Sequence, residues 1–216
     1  MIHDLSKTNS LLNYFIAQIR DEKIQEDRMR FRANLERIGQ IMAFEISKTL
    51  DYENQDIQTP LGIAEVPLPQ NEMVLMTILR AGLPLHNGLL SFYDNADNAF
   101  VSAYRSHHKD GTFEINLQYI TCPSLEGKVL ILSDPMLATG ASIEATLEVI
   151  KDYGRPSKIH IATAIASRQG IEYIERTYGN VDIWVGAIDE ELTGKSYIVP
   201  GLGDAGDLSY GGKLQA

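Results

Sequence analysis

Two apolar runs, Met73–Leu79 (MVLMTIL) and Lys128–Ser133 (KVLILS), constrain this chain most. Each is too short for a helix and too continuous for a strand with one wet face. Each therefore reads as a strand covered on both sides. A helix-like segment near Leu83–Phe92 follows the first run. Another, Ser142–Tyr153, follows the second and is closed by Gly154 and Pro156. Ala99–Ala103 is a further strand. Phe113, Ile115, Leu117 and Tyr119 alternate strictly, so 112–120 reads as a half-exposed strand. Strand, helix and strand then recur at Lys158–Ala164, Gln169–Tyr178 and Val181–Ile188. This alternation predicts an α/β fold, a mostly parallel sheet flanked by helices on both faces. In such sheets ligands bind outside the carboxyl ends of the strands.

The first fifty residues read as helical. Leu11, Leu12, Phe15, Ile16 and Ile19 share one helical face, and Phe31, Leu35, Ile38, Met42 and Ile46 share another. Arg28, Arg30, Arg32 and Arg37 alternate with acids and read as a solvated or interface face. Ile57-Gln58-Thr59, Pro60-Leu61-Gly62 and Ile63–Val66 read as a hairpin arm with a Pro/Gly turn, suited to cover the domain or a second subunit. No linker divides the chain, so residues 1–216 are expected to form one domain: helices and arm over 1–70, core sheet over 71–190, and a hood over 191–216.

Composition narrows the function. With 19 Lys plus Arg against 29 Asp plus Glu the net charge is −10, which argues against general nucleic-acid binding. A hydrophobic share of 44% argues against disorder. No stretch approaches a membrane span. Met1-Ile2-His3-Asp4 carries no basic or apolar leader, and there is one cysteine, Cys122, so a cytoplasmic protein is expected.

The richest segment is Val129–Ser142, VLILSDPMLATGAS. It reads as strand, loop and helix start, with the carboxylate of Asp134 at the strand end. Amides of Ala138–Ser142 would face an anion at the helix N-terminus, with Thr139 and Ser142 hydroxyls as further donors. Gly140 would let backbone approach a phosphate. Asp134 would repel phosphate, so sugar hydroxyls or a hydrated cation are its natural partners. Phosphate and hydroxyls side by side describe a ribose 5-phosphate. The plainer alternative is a helix that follows a buried strand, with Ser142 only capping it. A Walker loop is absent. The literal GxGxxG at Gly201–Gly206 has only ten residues after it, too few for a dinucleotide fold, and reads as a glycine-rich loop with another purpose.

These residues resemble the type I phosphoribosyltransferase family, and within it the uracil-using branch. Asp134-Pro135 and the run DPMLATG carry the likeness to that branch. Three further blocks agree in family order: Ile78–Leu83 (ILRAGL) with the pyrophosphate loop, Tyr104-Arg105 with a diphosphate contact, and Tyr197–Asp207 (YIVPGLGDAGD) with the uracil loop. The likeness runs from about residue 28 onward. Departures are Ala141 where the family usually has glycine, Pro84-Leu85-His86, and His107-His108-Lys109.

The resemblance implies a transferase that joins uracil to 5-phosphoribosyl 1-diphosphate (PRPP), giving UMP and diphosphate in UMP salvage, with Mg²⁺ held mainly by substrate and water rather than directly by the protein. It implies PRPP contacts at Arg80, Arg105, the run Asp134, Pro135, Met136, Leu137, Ala138, Thr139, Gly140, Ala141 and Ser142, and Asp204. Of these, Arg80, Arg105, Asp134 and Asp204 are the catalytic candidates. Uracil contacts are implied at Tyr197, Ile198, Gly203, Asp204 and Ala205, read largely by backbone groups. Self-association as a homodimer or larger homo-oligomer is expected, GTP is a candidate effector, and neither nucleic acid nor membrane is an expected partner. The alternative is a nucleotide-sensing regulator on the same fold. That version tends to lose the arginine or the acid, and Arg80, Arg105, Asp134 and Asp204 are all present.

Overall fold

The computed structural model describes residues 1–107 and 113–214, with the side chains of 103–107 and 113–118 outside the description. The order of elements is β1 (Ile2–Asp4), α1 (Leu11–Arg20), α2 (Arg28–Ser47), β2 (Tyr52–Thr59), β3 (Gly62–Pro69), β4 (Met73–Leu79), α3 (Leu83–Leu90), β5 (Asp97–His107) and β6 (Phe113–Thr121). There follow β7 (Val129–Ser133), β8 (Met136–Leu137), α4 (Ala141–Val149), β9 (Lys158–Ser167), α5 (Arg168–Thr177), β10 (Val181–Asp189), β11 (Glu191–Leu192), β12 (Ile198–Val199) and α6 (Ala205–Tyr210).

Among the described residues the main sheet runs β1-β10-β9-β7-β4-β5-β6, with β8 beside β9. Every pair is parallel except β5 with β6. Successive residues of one strand enter opposite cores, as strand geometry requires. Leu75 and Ile131 pack with α1, α2 and α3 through Leu12, Ile38 and Leu85. Val74, Met76, Leu130 and Leu132 pack with α4 and α5 through Ile143, Leu147, Ile171 and Ile174. The helices therefore cover both faces, as the apolar runs predict.

The predicted faces of α1 and α2 are only partly correct. Phe31, Leu35, Ile38, Met42 and Ile46 are all 0–1% exposed, each worth up to about 1.5–3 kcal/mol of burial. Leu11 instead is 71% exposed, because α1 begins there and its Cβ leaves the buried stripe. Ser10 and Asp27 cap α1 and α2 through the amides of Leu12 and Arg30. The first fifty residues are not wholly helical. Ile2–Asp4 joins the sheet edge beside β10, with Ile2 opposite Ile183. Three residues carry no period to read. Trp184 lies in the core, 3% exposed and stacked on His3 at 3.7 Å.

The predicted hairpin is present and longer than its turn suggested, from Tyr52 paired with Pro69 to Thr59 paired with Gly62. Ile57, Leu61, Ile63 and Val66 are exposed on it. No helix among the described residues is long and apolar enough to cross a membrane.

Candidate active site

The order of strands reverses between β4 and β7. From β4 the chain passes through α3 to β5 on one side, and β7, β9 and β10 build outward on the other. The crevice beyond the carboxyl ends of β4 and β7 is where such sheets bind ligands. Thr77 and Ser133 are register partners there, and Thr77 Oγ1 donates to the Ser133 carbonyl at 3.1 Å. Arg80 leaves β4 and Asp134 leaves β7 into this crevice.

Beyond β7 a small concavity is lined by Asp134 and residues 136–143. Asp134 Oδ1 accepts from the amide of Met136 at 3.3 Å. Thr139 Oγ1 accepts from the amide of Ala141 at 3.3 Å. The next amides, of Ser142 and Ile143, open α4 and have no acceptor within the helix. This arrangement can receive an anion. The helix begins at Ala141, so Gly140 and not Ser142 is its cap. Gly140 also has a packing role beyond the one the sequence suggests. Its φ is 88°, and a Cβ there would meet Tyr173 at 2.9 Å and Ile174 at 3.2 Å. The glycine turns the chain into α4 and lets α5 pack close beneath the loop. Ala141, which follows this left-handed residue, is itself ordinary helix.

Residues that sequence reasoning missed hold the loop from below. Ser167 Oγ donates to the Ala138 carbonyl at 2.5 Å and accepts from the Gly170 amide at 2.9 Å. A Cβ on Gly170 would lie 2.2 Å from the same carbonyl. Tyr173 donates to Glu144 at 2.6 Å, tying α5 to α4. The one available signal was Ser167 at the end of an apolar run with Gly170 three residues on, the spacing of a capped helix.

At the end of β4 the Leu79–Arg80 peptide bond is cis. Arg80 is half exposed, and its Nη2 donates to Gly211 O at 3.1 Å and to Asp207 Oδ1 at 3.4 Å. Gly82 lies against both strand ends, and a Cβ on it would fall 2.1 Å from Thr77 Oγ1 and 3.0 Å from Ser133 O. Gly82→Ala is expected to cost about 1–3 kcal/mol of overpacking and to displace the Arg80 turn. Denaturant unfolding with steady-state kinetics on one preparation checks both effects.

The hood is built on β11 and β12, with Leu192 opposite Ile198. Tyr197 N donates to Thr193 Oγ1 and Tyr197 O accepts from Thr193 N, so its backbone serves the turn while its side chain is exposed. Ile198 and Ala205 are buried, and Gly201 and Gly203 have φ of 55° and 95°. A knot absent from the sequence expectation anchors this loop. Arg20 of α1 meets Asp189 of β10 in two bonds of 2.8 Å. The loop joins both partners: Gly201 N donates to Asp189 Oδ2 at 2.9 Å, and Gly201 O accepts from Arg20 at 3.0 Å. Arg32 likewise donates to Ser209 O at 2.7 Å and lies over the Tyr210 ring. Arg37 lies over Phe15 and bonds Asn34. Of the two alternatives for this arginine face, Arg32 is the interface one, because it meets the hood, while Arg37 is exposed as the solvated one expects.

Asp204 caps α6, its Oδ1 accepting from Asp207 N at 3.0 Å and its Oδ2 from Lys213 Nζ at 3.0 Å. Burial opposes ionisation, but these bonds and the Gly206 amide outweigh it and hold the carboxyl below its ordinary value. A Cβ on Gly206 would reach Ala81 at 3.9 Å, so hood and Arg80 turn lie against each other.

The structure thus brings Arg80 to the hood that carries Asp204, and sets the Asp134 loop on the strand next to β4. The backbone of Arg105 continues β5 beyond Ser102, the register partner of Leu79, and so runs past the same sheet end. The Arg105 side chain, the His107 side chain, and His108 and Lys109 lie outside the described residues. His86 is buried against Asn98 at 2.7 Å, and burial lowers its pKa. Burial pushes the half-buried Cys122 thiol up to about 11, so it packs as a neutral group.

A loop that can receive an anion follows one central strand, an arginine turn follows its neighbour and the hood packs against that turn, a layout that fits the phosphoribosyltransferase class. Residues 6–212 match the family model described as uracil phosphoribosyltransferase. A protein named uracil phosphoribosyltransferase from Porphyromonas gingivalis is 52% identical over 215 residues, 99% of each chain. One of the same name from Pyrococcus furiosus is 37% identical over 199 residues, 91% of this chain and 84% of that one. The solved AQ2163 protein from Aquifex aeolicus superposes with a TM-score of 0.88 at 32% identity, covering 99% of this chain and all of that one. The chain belongs to the uracil phosphoribosyltransferase family.

Proposed function

We propose that this protein transfers the phosphoribosyl group of PRPP to N1 of uracil, releasing diphosphate and forming UMP for pyrimidine salvage in the cytoplasm. The observation that carries the proposal is the pairing, across the switch point, of the Asp134–Ser142 loop with the Arg80 turn. One suits a sugar phosphate and the other a leaving diphosphate.

In this reading the amides and hydroxyls of Ala138–Ser142 hold the 5′-phosphate, binding energy spent away from the reacting bond. Asp134 orients the ribose hydroxyls. As the bond from C1′ to diphosphate oxygen breaks and that to N1 forms, negative charge gathers on the diphosphate. Arg80 and Arg105 receive that charge. Backbone groups of Ile198, Gly203 and Ala205 meet the uracil edge, and Tyr197 flanks it. An amino group in place of a carbonyl would leave donors facing each other, at a cost of about 1–3 kcal/mol. Positioning and electrostatics supply the rate.

The donor set suits a hydrated Mg²⁺ carried by substrate. Asp134 and Asp204 offer hard oxygens, and the described residues contain no cluster of three His, Cys, Asp or Glu that could cage a metal. When bound, the ion supplies charge neutralisation and a template for diphosphate and ribose oxygens. Among the described residues the hairpin β2–β3 pairs only with itself in the sheet topology, and it exposes apolar side chains on a ribbon that is marginal alone. That favours a homo-oligomer in which it packs on a second copy.

Purified protein with PRPP, Mg²⁺ and each of uracil, cytosine, orotate and hypoxanthine, with and without GTP, tests the proposal. UMP from uracil alone is expected, and absence of UMP overturns it. Asp134→Asn should raise the KM for PRPP about tenfold while moving that for uracil less than twofold, because of the two substrates only PRPP brings ribose hydroxyls to this carboxylate.

A further inference from the structure

The segment after α6 supplies a cation to which the proposed reaction gives no role. Arg80, Asp207, Lys213 and Asp204 form one line of alternating charge. Arg80 Nη2 lies 3.4 Å from Asp207 Oδ1, and Lys213 Nζ lies 3.7 Å from that same oxygen and 3.0 Å from Asp204 Oδ2. Two cations balance two carboxylates. Arg80 also bonds Gly211 O, two residues before Lys213, so the arginine holds the short segment that carries the lysine.

A diphosphate in the crevice competes with Asp207 for Arg80. Once the guanidinium turns to the diphosphate, Lys213 is, among the described residues, the cation left within ion-pair distance of both carboxylates. Without it, Asp204 and Asp207 would present two unbalanced negative charges to an incoming polyanion, which opposes binding in a partly screened crevice. We propose that Lys213 is a positioning residue for the diphosphate sugar, keeping Asp204 and Asp207 neutralised and in place when Arg80 leaves them. The proposal rests on the reading above that Arg80 and Asp204 serve the diphosphate.

Steady-state kinetics of Lys213→Met and Lys213→Arg against the unaltered protein test it, with PRPP and uracil each varied and thermal unfolding measured alongside. Lys213 is 41% exposed, so neither variant should lose its fold. Lys213→Met should raise the KM for PRPP about five- to tenfold with the KM for uracil within twofold, and Lys213→Arg should restore it. A merely structural lysine would move both constants together or shift the unfolding temperature. Either of those results, or an unchanged KM for PRPP, overturns the role of Lys213. If the unaltered protein forms no UMP, the underlying reading fails instead. Titration of PRPP into each protein then decides on Lys213 alone, since its weakened binding in Lys213→Met needs no turnover.

Discussion

Arg80→Ala is expected to lower kcat/KM for PRPP by about 10²–10³-fold, the loss typical of removing one donor from a developing oxyanion. The effect should fall mainly on kcat, because the guanidinium meets more charge in the transition state than in bound substrate. Thermal unfolding should barely move. In the free protein Arg80 is half exposed and its pairing with Asp207 spans 3.4 Å, a contact of small worth to stability. Stopped-time product assays beside a melting curve separate the two quantities. An unchanged kcat would remove Arg80 from the chemistry.

Asp189→Ala is expected to have the largest effect on stability, about 3–5 kcal/mol. It strips the two-bonded partner from a largely buried arginine and leaves that charge uncompensated. Asp189 is 6% exposed and Arg20 21%. The same change releases Gly201, whose amide and carbonyl both bond this pair. Uracil use should therefore suffer more than PRPP binding in whatever fraction stays folded. Urea unfolding gives the first quantity, and calorimetric titration of PRPP and of uracil gives the second. A loss below about 1 kcal/mol would show that the loop stands without its anchor.

Much of this architecture was legible because the central strands are buried on both sides. The apolar run Met73–Leu79 has the same ends as β4, since an uninterrupted apolar run has few other uses. The Asp134–Ser142 loop was legible for a local reason: strand, acid, small residues and helix follow one another directly. The hood's supports were not. Arg20 and Asp189 form an ion pair across 169 positions, and no periodicity links them. Arg32 sits on a helix face that looks solvated because its partner, the Ser209 carbonyl, is backbone and so has no residue type to recognise. Gly140 has a neighbour that its place in the sequence does not reveal. The sequence places it in the loop, while only packing shows that α5 presses against its missing Cβ. Short elements such as β1, β11 and β12 carry too few residues to express a pattern.

The two supports of the hood also order events during synthesis. The Asp134–Ser142 loop is completed by α5, a few dozen residues downstream, so it can settle while the ribosome is still at work. The hood must wait for Gly201 to reach Arg20 and for Ser209 to reach Arg32, spans of 181 and 177 positions. Joining such distant points is entropically slow and comes late. On the proposed function, a nascent or prematurely terminated chain would thus own its sugar-phosphate loop before its pyrimidine loop, and would sequester the activated sugar without spending it.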